Sequence, residues 1–319
     1  MPPGDVDPGT AWPDRYVSTG HLPAAARVQS LVDEAYDRYR SDTDGEVSTV
    51  YPALASAPAH LFGICVVRTD GSTHSAGDAD APFTIMSVAK PFVFALVCEA
   101  LGAEEVRRRV GVNATGLPFN SLAAIEQGSD GLTNPMVNPG AIATAGLVPG
   151  ADVDEQWAVL LDGLSRFAGR PLALDEGVYA SASSTNHRNR SMARLLRDYG
   201  RVAGDPDAVV DLYTRQSCLT VSAHDLAVMG ATLADGGVNP LTGNRVVDAE
   251  TCRYTLAVMA TAGLYETSGD WLYTIGLPAK SGIGGGIVTA APGKGGLGTY
   301  APLLDGAGNS VKGQQAARF

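Results

Sequence analysis

Strand-like segments lie near both ends of this chain and are scarce between them. Residues 61–68 form an apolar run that ends in a turn at 69–71, after which we expect a second short strand. Further strand-like runs, separated by glycine and proline, occur at residues 271–275, 286–290 and 297–300. Residues 104–220 instead carry several helical stretches. This order predicts an α+β fold, in which both ends of the chain build one sheet and a helical block is inserted between them.

Apolar periodicity and capping residues locate the helices. Asp152 and Ser222 are typical N-cap residues, and two consecutive glycines at 236–237 end the helix that Ser222 begins. The predicted helices span residues 23–40, 84–101, 152–167, 186–199, 222–235 and 309–319. We expect one domain overall, with a flexible tail at 1–20, a sheet-and-helix part at 21–83 and 221–319, and a mainly helical part at 84–220.

Composition excludes several classes of protein. Of 319 residues, 45% are hydrophobic and 18% are charged, so the chain is neither disordered nor fibrous. The net charge of -11 disfavours nucleic acid as a partner, because an acidic surface repels phosphates. The densest basic run, at residues 107–109, follows two glutamates and is typical of a solvated helix face. No apolar run is long enough to span a bilayer, so we expect no membrane contact.

The cysteines and histidines do not indicate a metal site. The four cysteines are widely separated and never form a C-x-x-C motif, and the five histidines show no H-x-x-x-H spacing. Buried thiols in a reducing compartment are the simpler interpretation. Because the N-terminal residues contain no apolar signal segment, the sequence predicts a cytoplasmic protein. We separately expect the protein to use no metal or organic cofactor.

The first catalytic signal is a serine followed three residues later by a lysine, Ser87 and Lys90. A serine is a weak nucleophile until a base removes its proton, and a desolvated lysine can be that base. With 20 serines and 4 lysines, roughly 0.25 such pairs are expected by chance. An N-capping serine followed by a lysine with its amine in solvent is an equally good interpretation of this motif alone.

A second motif strengthens the catalytic interpretation. Lys280 is followed by a serine and then by a glycine-rich run around Ile283, where the strand-rich C-terminal part begins. A K-[ST]-G segment beside an S-x-x-K helix is the pairing found in penicillin-recognising serine enzymes. Glycines permit close approach of the backbone to a substrate, so the N–H groups of Ser87 and Ile283 are candidates for an oxyanion hole. A glycine-rich turn between strands is the alternative.

With these motifs the chain resembles the serine-dependent glutaminases, which share a β-lactamase-like fold. The resemblance covers about residues 51–312 and depends on many blocks in one order. Those blocks lie at residues 51–55, 83–90, 119–121, 134–141, 188–190, 211–213, 226–237, 239–243, 263–265, 276–286 and 302–313.

The resemblance implies hydrolysis of L-glutamine to L-glutamate and ammonia through a serine acyl-enzyme. It implies that Ser87 is the nucleophile and Lys90 its base, and that Tyr265 relays a proton to the departing ammonia. The residues implied in substrate binding are Tyr51, Asn138, Asn189, Tyr213 and, through its main chain, Ile283. It also implies a homo-oligomer, either a dimer or a tetramer. A capping role for the asparagines and a core position for Tyr213 are the alternatives.

The chain departs from the family at Pro139, at Leu195 and at one position that bears on substrate binding. Seven residues before Asn189, where the family has a glutamate that pairs with the substrate ammonium group, this chain has Ala182. Loss of that carboxylate weakens substrate binding, unless Glu176 replaces it. Two alternatives therefore stay open: a related serine amidase or β-lactam-type hydrolase with another substrate, or a non-catalytic homologue that binds an amino acid.

Overall fold

The computed structural model describes residues 24–128 and 130–319, so the predicted tail at 1–20 lies outside the described residues. The strands are β1 (Glu46–Val47), β2 (Gly63–Arg68), β3 (Thr73–Gly77), β4 (Phe83–Thr84), β5 (Ala173–Leu174), β6 (Leu219–Val221), β7 (Ala279–Ser281), β8 (Gly286–Ala291), β9 (Gly295–Tyr300) and β10 (Leu303–Leu304). The main sheet has the order β3-β2-β9-β8-β7, and all its neighbouring strands are antiparallel.

Both ends of the chain contribute to this sheet, which confirms the predicted α+β arrangement. Strand β2 pairs with β9 over its full length, so that Gly63 lies opposite Tyr300 and Arg68 opposite Gly295. The helices are α1 (Ala25–Tyr39), α2 (Ala89–Leu101), α3 (Ala103–Val110), α4 (Ala123–Glu126), α5 (Asn138–Ala145), α6 (Val153–Ala168), α7 (Glu176–Thr185), α8 (His187–Asp198), α9 (Pro206–Ser217), α10 (Ala223–Ala234), α11 (Ala249–Ala262), α12 (Ser268–Ile275) and α13 (Val311–Arg318). The residue bounds that we predicted for two parts of the domain remain a prediction.

Helix α10 lies directly on the sheet because strand β9 carries glycines beneath it. A Cβ atom on Gly298 would come within 2.0 Å of the Ala223 carbonyl oxygen, and one on Gly296 within 2.3 Å of the Ala227 carbonyl oxygen. The predicted N-cap is present, since the Ser222 hydroxyl accepts a hydrogen bond from the Asp225 N–H. Helices α1 and α13 contact the sheet on the face away from α10. There Val32, Ile64 and Ala316 share one apolar cluster.

The helical block lies between β4 and β6, which pair with each other in a small three-stranded sheet. Its long helix α6 is capped by Asp152, as the sequence predicts, through hydrogen bonds from two backbone N–H groups. Among the helices in the described residues, none alone is long and apolar enough to cross a membrane. One pair, Met86–Leu101 with Ala103–Val110, meets the criteria only when joined across a 119° bend, and most of α2 is buried in the protein.

The predicted strand at residues 271–275 is wrong, because these residues form most of helix α12. Their β-branched and aromatic side chains favour a strand by propensity, but tertiary contacts decide the outcome. The Trp271 side chain is buried and its indole N–H donates to the Leu277 carbonyl oxygen at 2.8 Å, while Leu272 and Tyr273 face outward. Gly276, with φ of 75°, then ends the helix, and the strand begins at Ala279.

Candidate active site

Ser87 lies in a short 3-10 turn, Met86–Val88, between β4 and α2. The predicted helix over 84–101 is therefore shorter at its start, because the preceding residues belong to β4 and to this turn. Met86 has a φ of 47°, a conformation that costs about 1–3 kcal/mol for a residue with a side chain. The turn is held in place because the Ile85 N–H donates to the Leu219 carbonyl oxygen of β6 at 2.9 Å.

The Lys90 amine is directed at the Ser87 hydroxyl. Its Nζ atom lies 2.7 Å from Ser87 Oγ and 2.9 Å from Asn138 Oδ1. Only 2% of the Lys90 surface is exposed, and burial lowers the pKa of this amine to about 7. Within residues 24–128 and 130–319, no carboxylate lies within salt-bridge distance of Lys90. Near neutral pH a large fraction of the amine is therefore uncharged and able to accept a proton.

Tyr265 approaches the same hydroxyl from the other side. It begins a 3-10 turn after α11 with a φ of 54°, so a second strained residue lies at the site. Its hydroxyl donates to the Ser281 carbonyl oxygen at 3.2 Å. Burial raises the pKa of Tyr265, and hydrogen bonds with Ser87 and with the Ile283 backbone offset part of that rise. The phenol is thus protonated and in contact with the serine.

Lys280 holds this part of the backbone from within the sheet. Its amine donates to the carbonyl oxygens of Gly263 at 2.9 Å and Ser281 at 2.7 Å, and it lies 4.4 Å from the centre of the Tyr265 ring. Burial, with the nearby Lys90, lowers the pKa of Lys280 well below its usual range. Because both of its hydrogen bonds go to backbone atoms flanking Tyr265 and Ile283, Lys280 supports the site rather than facing the cavity.

The glycines after Lys280 let the two backbone segments of the site touch. A Cβ atom on Gly284 would lie 2.5 Å from the Thr84 carbonyl oxygen, and one on Gly282 would lie 3.3 Å from the Ser87 nitrogen. The segment that carries Ile283 therefore lies directly against the turn that carries Ser87. Because of this contact, the backbone N–H groups of Ser87 and Ile283 belong to two adjacent segments of the chain near the Ser87 hydroxyl.

The polar side chains that face Ser87 come from α5, α8 and α9. Asn138 Nδ2 donates to Asn189 Oδ1 at 3.2 Å, and the Tyr213 hydroxyl donates to Asn138 Oδ1 at 3.2 Å. Asn189 Nδ2 in turn donates to Asn186 Oδ1 at 2.5 Å. Burial raises the pKa of Tyr51 to about 12, and a hydrogen bond with Asn189 opposes that rise. These neutral groups form one connected wall.

A cavity of about 140 Å³ opens beside these groups. Six of the eight predicted site residues line it: Tyr51, Ser87, Asn138, Asn189, Tyr213 and Ile283. The other two lie directly behind the lining, since Lys90 bonds to Ser87 and Tyr265 contacts Ser87. The fold thus brings all eight residues to one place.

The described part of the chain contains no group of three or more His, Cys, Asp and Glu side chains arranged to hold a metal ion. A larger cavity of about 270 Å³ lies between α1, α13 and the sheet, and most of its lining is apolar, including Leu31, Val66 and Leu297. Ser87 and Lys90 lie at the smaller, more polar cavity.

Comparison with known proteins identifies the family. The family model described as Glutaminase matches residues 45–319 of this chain. The chain belongs to the glutaminase family. It is 69% identical over 304 residues to Glutaminase 2 of Yersinia pestis, a match that covers 95% of this chain and 89% of that protein. It is 45% identical over 292 residues to a glutaminase of Colwellia psychrerythraea, covering 92% and 94% of the two chains.

Solved structures of the family agree with the architecture. The probable glutaminase ybaS matches with a TM-score of 0.90 and 42% identity, covering 92% of this chain and 95% of that chain. Mglu in its glutamate form matches with a TM-score of 0.85 and 37% identity, covering 93% and 68% of the two chains. This glutaminase-family chain therefore has the serine β-lactamase-like fold, as the sequence resemblance implied.

Some residues of the glutaminase-family cavity were not among the predicted site residues. Phe119, Asn120 and Arg188 line it, although the sequence analysis used them only as parts of the family blocks. The Arg188 Nε donates to the Asn120 carbonyl oxygen at 2.6 Å, and Phe119 lies with its ring 4.5 Å from that of Tyr265. The available signal for Arg188 was its place in the sequence, directly before the predicted site residue Asn189.

Proposed function

We propose that this glutaminase-family chain hydrolyses the side-chain amide of L-glutamine to L-glutamate and ammonia through a serine acyl-enzyme. The observation that carries the proposal is the 2.7 Å contact between Ser87 Oγ and a buried Lys90 amine with a pKa of about 7. A base with a pKa near the working pH combines a useful fraction of the reactive form with adequate basicity.

In the first step, neutral Lys90 takes the proton of Ser87 while Oγ attacks the amide carbon. The electron pair of the carbonyl moves onto oxygen, and the N–H groups of Ser87 and Ile283 stabilise that oxyanion. These donors are part of the backbone, and the contact of Gly282 and Gly284 with residues 84–87 fixes them in advance. Preorganised donors of this kind contribute more than mobile ones, because they need no reorganisation during reaction.

The C–N bond then breaks as the leaving nitrogen receives a proton and departs as ammonia. Tyr265 suits the relay of that proton, because its protonated hydroxyl contacts Ser87. Lys90, neutral again after giving up that proton, then takes a proton from a water molecule as the water oxygen attacks the acyl-serine ester. Its collapse releases the carboxylate product and restores the Ser87 hydroxyl.

The wall formed by α5, α8 and α9 holds the remainder of the substrate. Asn138, Asn189 and the hydroxyls of Tyr51 and Tyr213 supply N–H and O–H donors that match a carboxylate, which only accepts hydrogen bonds. Fixing a small substrate by several hydrogen bonds brings its amide carbon to the nucleophile and lowers the entropic part of the barrier.

Replacement of the nucleophile tests the proposal. Ser87→Ala should lower the rate of ammonia release from L-glutamine by about 10⁴-fold or more, and Lys90→Met should do so similarly. Ser191→Ala removes an exposed serine on α8 whose hydroxyl donates to the His187 carbonyl oxygen within the same helix, and it should retain full activity. Turnover by the Ser87→Ala protein at more than a hundredth of the normal rate would refute the serine mechanism.

We also propose that the protein is cytoplasmic and homo-oligomeric. All four cysteines are free and buried, which suits a reducing compartment. Leu272 and Tyr273 lie exposed beside each other on α12, and Tyr273 leaves 93% of its surface uncovered, which suits contact with a second copy. Sedimentation analysis of the full chain measures whether it is a dimer or a tetramer.

A further inference from the structure

The charges around the cavity are unbalanced on the side that holds the substrate. Arg188 lines the cavity, and its guanidinium has no carboxylate within 4 Å in the part of the chain that the structure describes. No aspartate or glutamate is among the described lining residues. The cavity therefore offers a permanent positive charge, neutral amides and hydroxyls, and no negative charge.

A second wall of the cavity, near residue 182, is apolar. Ala182 on α7 is buried and shares one apolar cluster with Met86 and Cys218, and Tyr51 and Ile283 pack against that cluster. Tyr51, Met86 and Ile283 also line the cavity. A charged group of a substrate that points toward this wall would thus meet the side chains of Tyr51, Met86 and Ile283, which pack on Ala182 and Cys218.

The carboxylates at the start of α7 and on α9 have hydrogen-bond partners or face solvent. Asp211 accepts from the Tyr179 hydroxyl at 2.5 Å and lies 2.8 Å from Arg215. Asp175 caps α7 by accepting from a backbone N–H, and Glu176 at the start of α7 is exposed. Glu176 is therefore not placed inside the cavity as a substitute for a carboxylate at residue 182.

The Glu266 carboxylate, next to Tyr265 in sequence, also has a hydrogen-bond partner. It accepts from the Phe119 N–H at 3.0 Å, which ties it to the segment that covers the site. A substrate ammonium group would therefore leave water without an anionic side chain in the described cavity lining to pair with, and it would lie in the same cavity as the Arg188 cation. Both effects oppose binding of a cation, whereas a carboxylate gains from Arg188 and from the amide donors.

We propose, on the basis of the acyl-enzyme function above, that this cavity recognises its substrate by the carboxylate end and the reacting amide, without recognition of an α-ammonium group. The substrate class is the ω-amides of five-carbon dicarboxylic acids, with an uncharged α-position accepted at least as well as a charged one. Glutaramate, which is glutamine without its amino group, is the simplest member. The reaction is unchanged: the C–N bond breaks, water supplies hydroxide to the acyl carbon, and ammonia leaves with the proton.

The test compares kcat/KM for ammonia release from glutaramate and from L-glutamine with the full-length protein. The value for glutaramate should be at least a third of the value for glutamine, and a preference for glutamine of more than about threefold overturns the inference while leaving the acyl-enzyme function in place. Failure to hydrolyse either amide would instead overturn the proposed function, and the inference with it. The two failures are thus distinguishable.

A pair of variants assigns the effect to residue 182. Ala182→Glu and Ala182→Gln add side chains of nearly equal size, and only the first adds a charge. The ratio of kcat/KM for glutamine to that for glutaramate should rise at least tenfold in Ala182→Glu relative to Ala182→Gln. An equal ratio in two folded variants would contradict the role of this wall. If either variant fails to fold, competitive inhibition of the unaltered protein decides: glutarate should inhibit at least as strongly as L-glutamate, and weaker inhibition by glutarate overturns the inference.

Discussion

The two sides of the cavity are built in different ways. On the side of the nucleophile, the backbone determines the geometry: Met86 and Tyr265 both have positive φ, and Gly284 lies where no Cβ atom fits. On the opposite side, side chains from α5, α8 and α9 determine it, through the hydrogen bonds of Asn138 and Asn189. A single substitution on the second side can therefore change what is bound, whereas one on the first side must move the backbone that carries the proposed nucleophile.

The comparison is tested most severely by Gly284→Ala. The added methyl group would lie 2.5 Å from the Thr84 carbonyl oxygen and 3.3 Å from Met86 Cγ, so the backbone that precedes Ser87 must shift. Because a misplacement of about 1 Å can cost about 10²-fold in rate, we expect kcat for glutamine to fall by about 10²-fold or more. Stopped-time ammonia assays with circular dichroism as a folding check measure this.

A matched glycine provides the control for that substitution. Gly306 lies in a surface loop, has no atom within 4 Å of an added Cβ, and does not have a positive φ. Gly306→Ala should therefore retain normal kcat and KM. A folded Gly284→Ala protein with normal kcat would show that the backbone contact is not what fixes the nucleophile.

The nucleophile side was also the more predictable from sequence. Short motifs encode it, and the S-x-x-K and K-S-G segments with their glycines indicated the correct contacts. Arg188 could not be assigned to the cavity because only the packing of α8 against the loop at Asn120 shows where its side chain lies. The strand prediction for residues 271–275 was wrong for the same reason, because burial of Trp271 in a helix depends on partners distant in sequence. Short sequence motifs therefore predict turns and neighbouring site residues, whereas the position of a side chain that depends on packing between distant segments cannot be predicted from them.

The pH dependence of the reaction tests only the side of the cavity that carries Ser87 and Lys90. Burial lowers the pKa of Lys90 to about 7, and only its neutral form accepts the proton of Ser87. The value of kcat/KM should therefore rise with pH through about 7, and below that point it should fall about tenfold per pH unit. A pH–rate profile between pH 5.5 and 9, corrected for protein unfolding at each end, measures the apparent pKa.

The proposed base makes a specific prediction about the midpoint of that profile. Because Lys90 has no carboxylate partner in the described residues, salt should move its midpoint little compared with a surface ion pair. A flat profile from pH 6 to pH 8 would contradict proton transfer to this amine. A midpoint above 9 would mean that burial does not lower the pKa of Lys90 as the structure indicates.

The smallest effect is expected on the side-chain wall. Tyr213→Phe removes a hydroxyl that donates to Asn138 Oδ1 at 3.2 Å, but that oxygen still accepts from Lys90 at 2.9 Å. Loss of one neutral hydrogen bond costs about 0.5–1.5 kcal/mol, so KM for glutamine should rise about 2- to 10-fold while kcat changes less. Steady-state kinetics with the Tyr254→Phe protein as control measure this, since the Tyr254 hydroxyl faces Glu250 on α11, away from the cavity.

The way in which Tyr213→Phe divides its effect between kcat and KM decides whether the two sides are separate. A rise in KM alone means that the hydroxyl holds the substrate equally in the ground state and the transition state. A fall in kcat with unchanged KM would instead place Tyr213 in the proton-transfer machinery, through Asn138 and Lys90. The two sides of the cavity would then form one catalytic network. A single substitution on the side formed by α5, α8 and α9 that changes the substrate would then also lower the rate.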